Sequence, residues 1–241
     1  MSIPDVFTSE PVTDSLKDFL EEWDCSYLKK TNQIPLFKYS LTEKWSGRQK
    51  MLFAKLFYHS RGHFHDFLWF LGSNAPDKET KEIVLQNIAE EFNGSAASHE
   101  QMYIDFAESL GVTLMEEFVD QKHYLPFIRD FNKGHIRWML NKSSDAHFSA
   151  FAAYERLDNV DYENLLKLAE SLKASRRGLI FFKVHMRAKH FSAAEMKLQR
   201  LWEANEDSVK EAFFFIANHQ LEMWQSLSDK VFLCEQETLF S

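Results

Sequence analysis

Carboxylates and histidines recur in three separate stretches of this sequence, and these side chain types bind transition metals. The first stretch, residues 87–111, contains Glu91 and His99. Their separation is about two helical turns, so both face the same side if the helix is continuous. A carboxylate and an imidazole facing a common interior can bind a metal ion. A Glu and a His at this spacing are equally typical of solvated residues beside a loop.

The second stretch, residues 147–159, places Glu155 directly after a run of small and aromatic residues. Small residues let neighbouring helices approach closely, so we expect this carboxylate to enter the interior. A buried carboxylate must be paired or coordinated, because an isolated buried charge is very unfavourable. Glu155 is therefore predicted to bind either a metal ion or the side chain of an Arg or Lys.

The third stretch, residues 179–195, carries His185 after several apolar residues. A lone histidine in such a position is usually a core residue with one hydrogen bond, and metal ligation is the alternative. Lys189 and Ser192 follow one and two turns later on the same face, whereas His190 points elsewhere. An inward lysine is uncommon, and the alternative is that Lys189 extends to solvent.

Other histidines cluster at residues 59–65, where His59 and His63 are spaced to chelate and His65 follows. They are also typical of a helix surface or a substrate-facing wall, and they are left unassigned. The sequence has no glycine-rich phosphate loop, no CxxC motif and no nucleophile elbow.

Helices must position these residues, because only seven Gly and five Pro occur in 241 residues and tight turns are therefore few. Residues 1–12 are predicted to be extended, and Thr13 or Asp14 is predicted to cap the first helix. The later predicted helices cover about 42–71, 77–93, 97–110, 114–126, 126–140, 145–160, 162–172, 176–203 and 207–232. The twenty-three Phe residues predict an aromatic core.

The predicted fold class is all-α, with one domain over residues 13–241, since no linker or repeat divides the chain. The net charge of −8 argues against nucleic acid or an anionic membrane as a partner. Two cysteines and the absence of a signal peptide indicate a reducing compartment, so we expect a cytoplasmic protein. No stretch has the length of apolar sequence that a membrane-spanning helix requires.

Taken in order, the three stretches resemble the haem-oxygenase-like di-iron oxidase superfamily, which includes the CADD-like proteins (those similar to the chlamydial protein associating with death domains). The similarity covers roughly residues 45–205. The matching residues are Asn87, Glu90, Glu91, His99, Leu110, Gly111, Glu155 and His185. The family then has an Asp and a second His on the helix of His185, where this chain has Lys189 and Ser192, so two expected ligands are absent.

The resemblance implies a bundle of about seven or more helices with an iron site between them. It assigns Glu91, His99, Glu155 and His185 as metal ligands, with one or two iron ions as cofactor and O₂ as co-substrate. The missing ligands leave three options open. The site is mononuclear, or it recruits Glu195 or a histidine of the second helix, or it is metal-free with Lys189 as an acid–base or sacrificial residue.

The leading hypothesis is therefore a non-haem iron oxidase that uses O₂ on a small carboxylate or amino-acid-like substrate, in a biosynthetic role. The abundance of aromatic residues would suit an aromatic or apolar substrate. The alternatives are a metal-free enzyme of the same fold and a non-catalytic helical binding protein. The expected partner is a small molecule, and a homodimer is left open. The activity requires that residues 91, 99, 155 and 185, expected on three helices, converge on one pocket.

Overall fold

A computed structural model describes residues 15–62, 64–93, 97–187 and 190–234, and helices are the regular structure of these residues. The predicted extended segment, residues 1–12, lies outside the described residues, as do His63 and Lys189. The helices are α1 (Leu16–Thr31), a short 3-10 helix (Pro35–Phe37), α2 (Tyr39–Thr42), α3 (Gly47–Gly62), α4 (Phe64–Ser73), α5 (Lys78–Asn93), α6 (His99–Ser109), α7 (Met115–Val119), α8 (Pro126–Met139), α9 (Ser144–Ser171), α10 (Ile180–Arg187), α11 (His190–Ala204) and α12 (Glu206–Leu233). The predicted all-α fold class is confirmed.

Helix α1 begins where a serine side chain can satisfy its first backbone N–H groups. The hydroxyl of Ser15 accepts a hydrogen bond from the backbone N–H of Asp18 at 3.2 Å. The N-cap is therefore Ser15, and the prediction of Thr13 or Asp14 was wrong by one or two positions. The apolar face of α1 is buried, including Phe19 and Trp23, as its spacing predicts.

Helix α9 is the central helix and packs against α10, α11 and α12. The sequence predicted two helices here, 145–160 and 162–172, but α9 is continuous over 28 residues. Ala150, Ala152 and Ala153 are fully buried in it, and their small size lets the neighbouring helices approach. Because α9 runs unbroken through the core, acidic residues spaced along one of its faces all reach the interior.

The buried apolar side chains of the described residues form one continuous, aromatic-rich core, as the composition predicts. Phe57 lies within 5.7 Å of both Tyr103 and Trp224, measured between ring centroids, so it links α3, α6 and α12. Such ring pairs stabilise the core beyond the effect of their buried area.

The described parts of two predicted long helices are helical. The predicted helix 42–71 corresponds to α3 and α4, and the predicted helix 176–203 corresponds to α10 and α11. His63, between α3 and α4, and residues 188–189, between α10 and α11, lie outside the described residues. Within the described residues, no helix combines the length and apolar character needed to cross a membrane.

Candidate metal centre

Glu91, His99 and His185 converge, each offering a ligand atom that lies within 4.8 Å of the other two. Glu91 lies near the end of α5, His99 is the first residue of α6, and His185 lies near the end of α10. Glu91 and His99 thus come from consecutive helices, in agreement with the separate predicted helices 77–93 and 97–110. The condition of one continuous helix is not met, because Ser98 before His99 has an extended backbone.

The protonation of His185 follows from its hydrogen bond. Its Nδ1 lies 2.7 Å from the carbonyl oxygen of Phe181, which can only accept, so Nδ1 carries the proton. Burial lowers the pKa of His185 to about 3, against the opposing charge of Glu91, so the ring is neutral near pH 7. Nε2 therefore has a lone pair. It lies 3.9 Å from Oε1 of Glu91, too far for a hydrogen bond. A carbonyl that fixes the tautomer in this way is typical of metal-ligating histidines.

Glu91 is the acidic member of the cluster and contacts two further imidazoles. Its Oε2 lies 3.0 Å from Nδ1 of His99 and 3.7 Å from Nε2 of His65. Burial alone raises the pKa of Glu91, but the contacts with His65 and His99 outweigh burial and hold the pKa well below its usual value. Glu91 is therefore ionised and available as an anionic ligand.

Glu155 lies in α9 and is nearly fully buried, with 1% of its surface exposed. Nδ2 of Asn87 donates a hydrogen bond to Oε1 at 2.8 Å. Burial and then the charge of Glu91 raise the pKa of Glu155 to about 8, opposed by the bond from Asn87. No Arg or Lys pairs with Glu155 among the described residues, so the predicted alternative of a basic partner is not found in that part of the chain.

Two buried atoms of this region have no hydrogen-bond partner among the described residues, and both belong to predicted metal ligands. They are Nδ1 of His99 and Oε2 of Glu155. Nδ1 of His99 approaches Glu91 but not in hydrogen-bonding geometry. An unsatisfied buried polar atom is unfavourable unless a further group binds it. The donor set of imidazole nitrogens and carboxylate oxygens fits a transition metal such as iron.

A cavity of about 40 Å³ adjoins the cluster and is lined by Glu91 and His185. Its other walls are largely aromatic. The lining side chains are Phe57, Ser60, Arg61, Phe64, Phe131, Tyr154, Asp158, Asp161, Tyr162, Leu165, Gln220, Met223 and Trp224. A small molecule in this cavity would therefore lie against the two ligands that line it.

The structure does not place every residue of the predicted site at the cluster. Ser192 is exposed on α11 whereas His185 is buried, so the structure does not place Ser192 at the cluster. Glu195 is also exposed, and the option that it supplies a ligand is not supported. Lys189 lies outside the described residues. Of the two described histidines in the predicted second helix, His59 and His65, it is His65 that lies near Glu91.

Three cavity residues were missed by the sequence analysis, namely Asp158, Asp161 and Arg61. Asp158 and Asp161 follow Glu155 at intervals of three along α9, which places all three on one face of a continuous helix. This spacing was visible in the sequence, but the predicted helix break near Val160 hid it. Nothing in the sequence around Arg61 indicates that its side chain would enter the interior.

A second cluster of histidine and carboxylate surrounds Glu117 of α7. Its Oε2 lies 2.9 Å from Nε2 of His59, and its Oε1 lies 2.6 Å from Nδ1 of His123. Nζ of Lys55 is 3.5 Å from the same carboxylate. The two imidazoles engage different oxygens and do not converge as the first cluster does. This second cluster is an internally satisfied network that fixes α7 against α3.

Comparisons with known proteins agree with this architecture. Residues 51–225 match the haem-oxygenase-like family described as iron-containing redox enzymes. Two crystal structures of a CADD-like protein of unknown function from Nostoc punctiforme PCC 73102 are similar, each at 17% sequence identity. One has a TM-score of 0.65 and covers 89% of this chain and 98% of that chain. The other has a TM-score of 0.62 and covers 88% and 99%. At this identity the likeness shows the fold alone, and none of the curated proteins matches.

Proposed function

Because the chain belongs to the family of iron-containing redox enzymes, we propose that it is a non-haem iron oxidase that uses O₂ to oxidise a small carboxylate or amino-acid-like molecule. The observation that carries the proposal is the convergence of Glu91, His99 and His185 beside a cavity. Two of these residues also line the cavity, so metal and substrate would be neighbours.

Glu91, His99 and His185 would hold the iron, with Glu155 as a further ligand. Bound iron would supply the redox chemistry with O₂ that no side chain of the cavity can supply. The three convergent ligands support a site for one iron ion more directly than a site for two iron ions. The predicted positions for further ligands are Lys189 and Ser192, and Ser192 is exposed on another helix.

The protein's own groups prepare this site in specific ways. The carbonyl of Phe181 holds the proton of His185 on Nδ1 and keeps Nε2 available. Asn87 occupies Oε1 of Glu155, so a proton on this carboxyl resides on Oε2 until a cation displaces it.

Arg61 is the group of the cavity that suits a substrate carboxylate. Its Nη1 donates to Glu100 at 3.1 Å, and its guanidinium lies 5.1 Å from the ring of Tyr103 and 5.0 Å from that of Phe181. These contacts fix the guanidinium in place. A guanidinium has five N–H donors, so donors are left for a carboxylate after the bond to Glu100.

Anaerobic loading with Fe(II) tests the proposal. We expect about one iron per chain by metal analysis, since three ligands converge on one point. Exposure to O₂ should then consume O₂ and give a transient visible band. His185→Ala should abolish iron binding, and Lys189→Ala should leave it intact. His123→Ala is the matched control, because it removes a histidine from the second carboxylate cluster and should also leave iron binding intact.

Iron content near zero in the wild-type protein would overturn the proposal. If such a protein still consumes O₂ with a substrate, it is a metal-free enzyme of the same fold. If His123→Ala removes iron and His185→Ala does not, the iron belongs to the second cluster and the site assigned here is wrong.

A further inference from the structure

The cavity has a polar end that the metal ligands do not use, formed by Asp158, Asp161 and Gln220. Asp158 and Asp161 lie one turn apart on α9, and Gln220 reaches them from α12. Asp161 and Gln220 are almost fully buried. The groups at this end differ from the aromatic walls because they chiefly offer hydrogen-bond acceptors.

Asp161 fixes the orientation of Gln220. The carboxylate of Asp161 accepts hydrogen bonds from the hydroxyl of Tyr27 at 2.9 Å, from Nε1 of Trp224 at 3.0 Å and from Nε2 of Gln220 at 3.1 Å. Since the amide nitrogen of Gln220 faces Asp161, its Oε1 is turned away. This oxygen is buried and has no hydrogen-bond partner among the described residues. A buried acceptor left open in a cavity wall indicates a donor from a bound molecule.

Asp158 is the second open acceptor. It lines the same cavity and makes no hydrogen bond or ion pair with any side chain in the described ranges. Burial, and then the charges of Glu155, Asp161 and Glu91, raise its pKa well above the usual value. A positively charged group beside it would reverse this effect, because an adjacent cation favours the ionised carboxylate.

We propose that Asp158 and Oε1 of Gln220 form a subsite for the ammonium group of the substrate. A primary ammonium has three N–H donors and no acceptor, which complements two open acceptors. Aromatic rings of the cavity, including Trp224 and Phe131, add faces that attract a cation. This subsite rests on the proposed function, because it lies in the cavity beside the metal cluster, and it narrows the substrate class to small primary amines, amino acids included.

The size of the cavity agrees with a small head group. A volume of about 40 Å³ corresponds to about three water molecules. Ethylammonium has three non-hydrogen atoms and is therefore a suitable probe, and ethanol is its neutral counterpart of equal size. The guanidinium of Arg61 also lines this cavity, but the ammonium subsite does not depend on it.

Ligand-observed NMR titration of the full-length protein at pH 7, with and without Fe(II), tests the subsite. We expect ethylammonium to bind with a millimolar Kd and ethanol to bind at least tenfold more weakly, since a hydrogen bond to a charged group is lost. Asp158→Asn should weaken ethylammonium binding at least tenfold. Glu170→Gln, an equal charge change on the exposed face of α9, should have no effect.

Gln220→Leu gives an independent test and should weaken ethylammonium binding several-fold, so the subsite stays testable if Asp158→Asn does not fold.

The iron content of each variant separates this inference from the proposed function. Equal binding of ethylammonium and ethanol, or no binding of either, would overturn the subsite. Loss of iron in Asp158→Asn with unchanged ethylammonium binding would make Asp158 a metal ligand instead. If ethylammonium binds to Lys189→Met but not to wild type, an ammonium of the chain itself fills the subsite, and the inference fails.

Discussion

His185 shows how a single hydrogen bond decides what a buried histidine can do. The carbonyl of Phe181 accepts from Nδ1, and burial keeps the ring neutral, so Nε2 is left for a cation. The family resemblance implied that His185, Glu91 and His99 are neighbours, and the structure brings them together. The sequence could not predict the tautomer of His185, because the carbonyl partner depends on the local helix geometry.

Asn87 is expected to act through Glu155. It holds one carboxylate oxygen and leaves the other open, so Asn87→Ala should leave Glu155 poorly oriented and weaken iron binding about tenfold to a hundredfold. The measurement is an anaerobic Fe(II) titration against a competing chelator. Gln86→Ala is the control, because Gln86 is exposed and its side-chain amide donates a hydrogen bond to Glu90. Equal iron affinity of Asn87→Ala and wild type would contradict this role for Asn87.

At the level of helices, periodicity predicted where apolar faces lie better than where helices end. The sequence placed a break near Val160 that does not exist, and this error hid the shared face of Glu155, Asp158 and Asp161. This error concerns a helix end, and helix ends depend on tertiary contacts more than on local propensity.

Gly134 of α8 is expected to be required for the packing of α8 against α12. A Cβ at this position would collide with the imidazole of His219, which is itself bound to the carbonyl of Phe131 at 2.8 Å. Gly134→Ala should therefore destabilise the protein by about 1–3 kcal/mol, although alanine is the better helix former. Urea unfolding measures the change in the free energy of unfolding.

Gly47→Ala is the matched control, because a Cβ there meets no atom within 4 Å. We expect it to be neutral or slightly stabilising. A Gly134→Ala variant at least as stable as wild type would show that His219 moves away without penalty, and that this close approach of α8 and α12 is unimportant.

For the whole molecule, composition was sufficient for the fold class, since few Gly and Pro and many Phe predicted an aromatic helical domain. The cavity could not be predicted, because its walls come from helices far apart in the sequence. Arg61, Asp158 and Gln220 line one cavity because α3, α9 and α12 pack together. No local pattern around any one of them indicates this arrangement.

The buried acids should make the stability of the metal-free protein depend on pH. Burial raises the pKa of Asp161 to about 7 from 3.8, although hydrogen bonds from Trp224, Tyr27 and Gln220 oppose the rise. The folded state therefore binds this proton more tightly than the unfolded chain. The contribution of Asp161 to the free energy of unfolding is therefore largest below about pH 4. Roughly a few kcal/mol of this contribution are lost as the pH rises to about 7.

Asp161→Asn should flatten this decline without abolishing it, because Glu155 has a pKa raised in the same direction. Urea unfolding of both proteins between pH 5 and pH 8 measures the slopes, with the exposed Asp130→Asn as control. Identical slopes for wild type and Asp161→Asn would contradict the protonation assigned to Asp161.

The most direct test of the central claim is an X-ray structure of the Fe(II)-loaded protein with anomalous data collected at the iron edge. The account predicts an anomalous peak between Glu91, His99 and His185, at bonding distance from Nδ1 of His99 and Nε2 of His185. A peak between His59, Glu117 and His123, or no peak in fully loaded crystals, would contradict it.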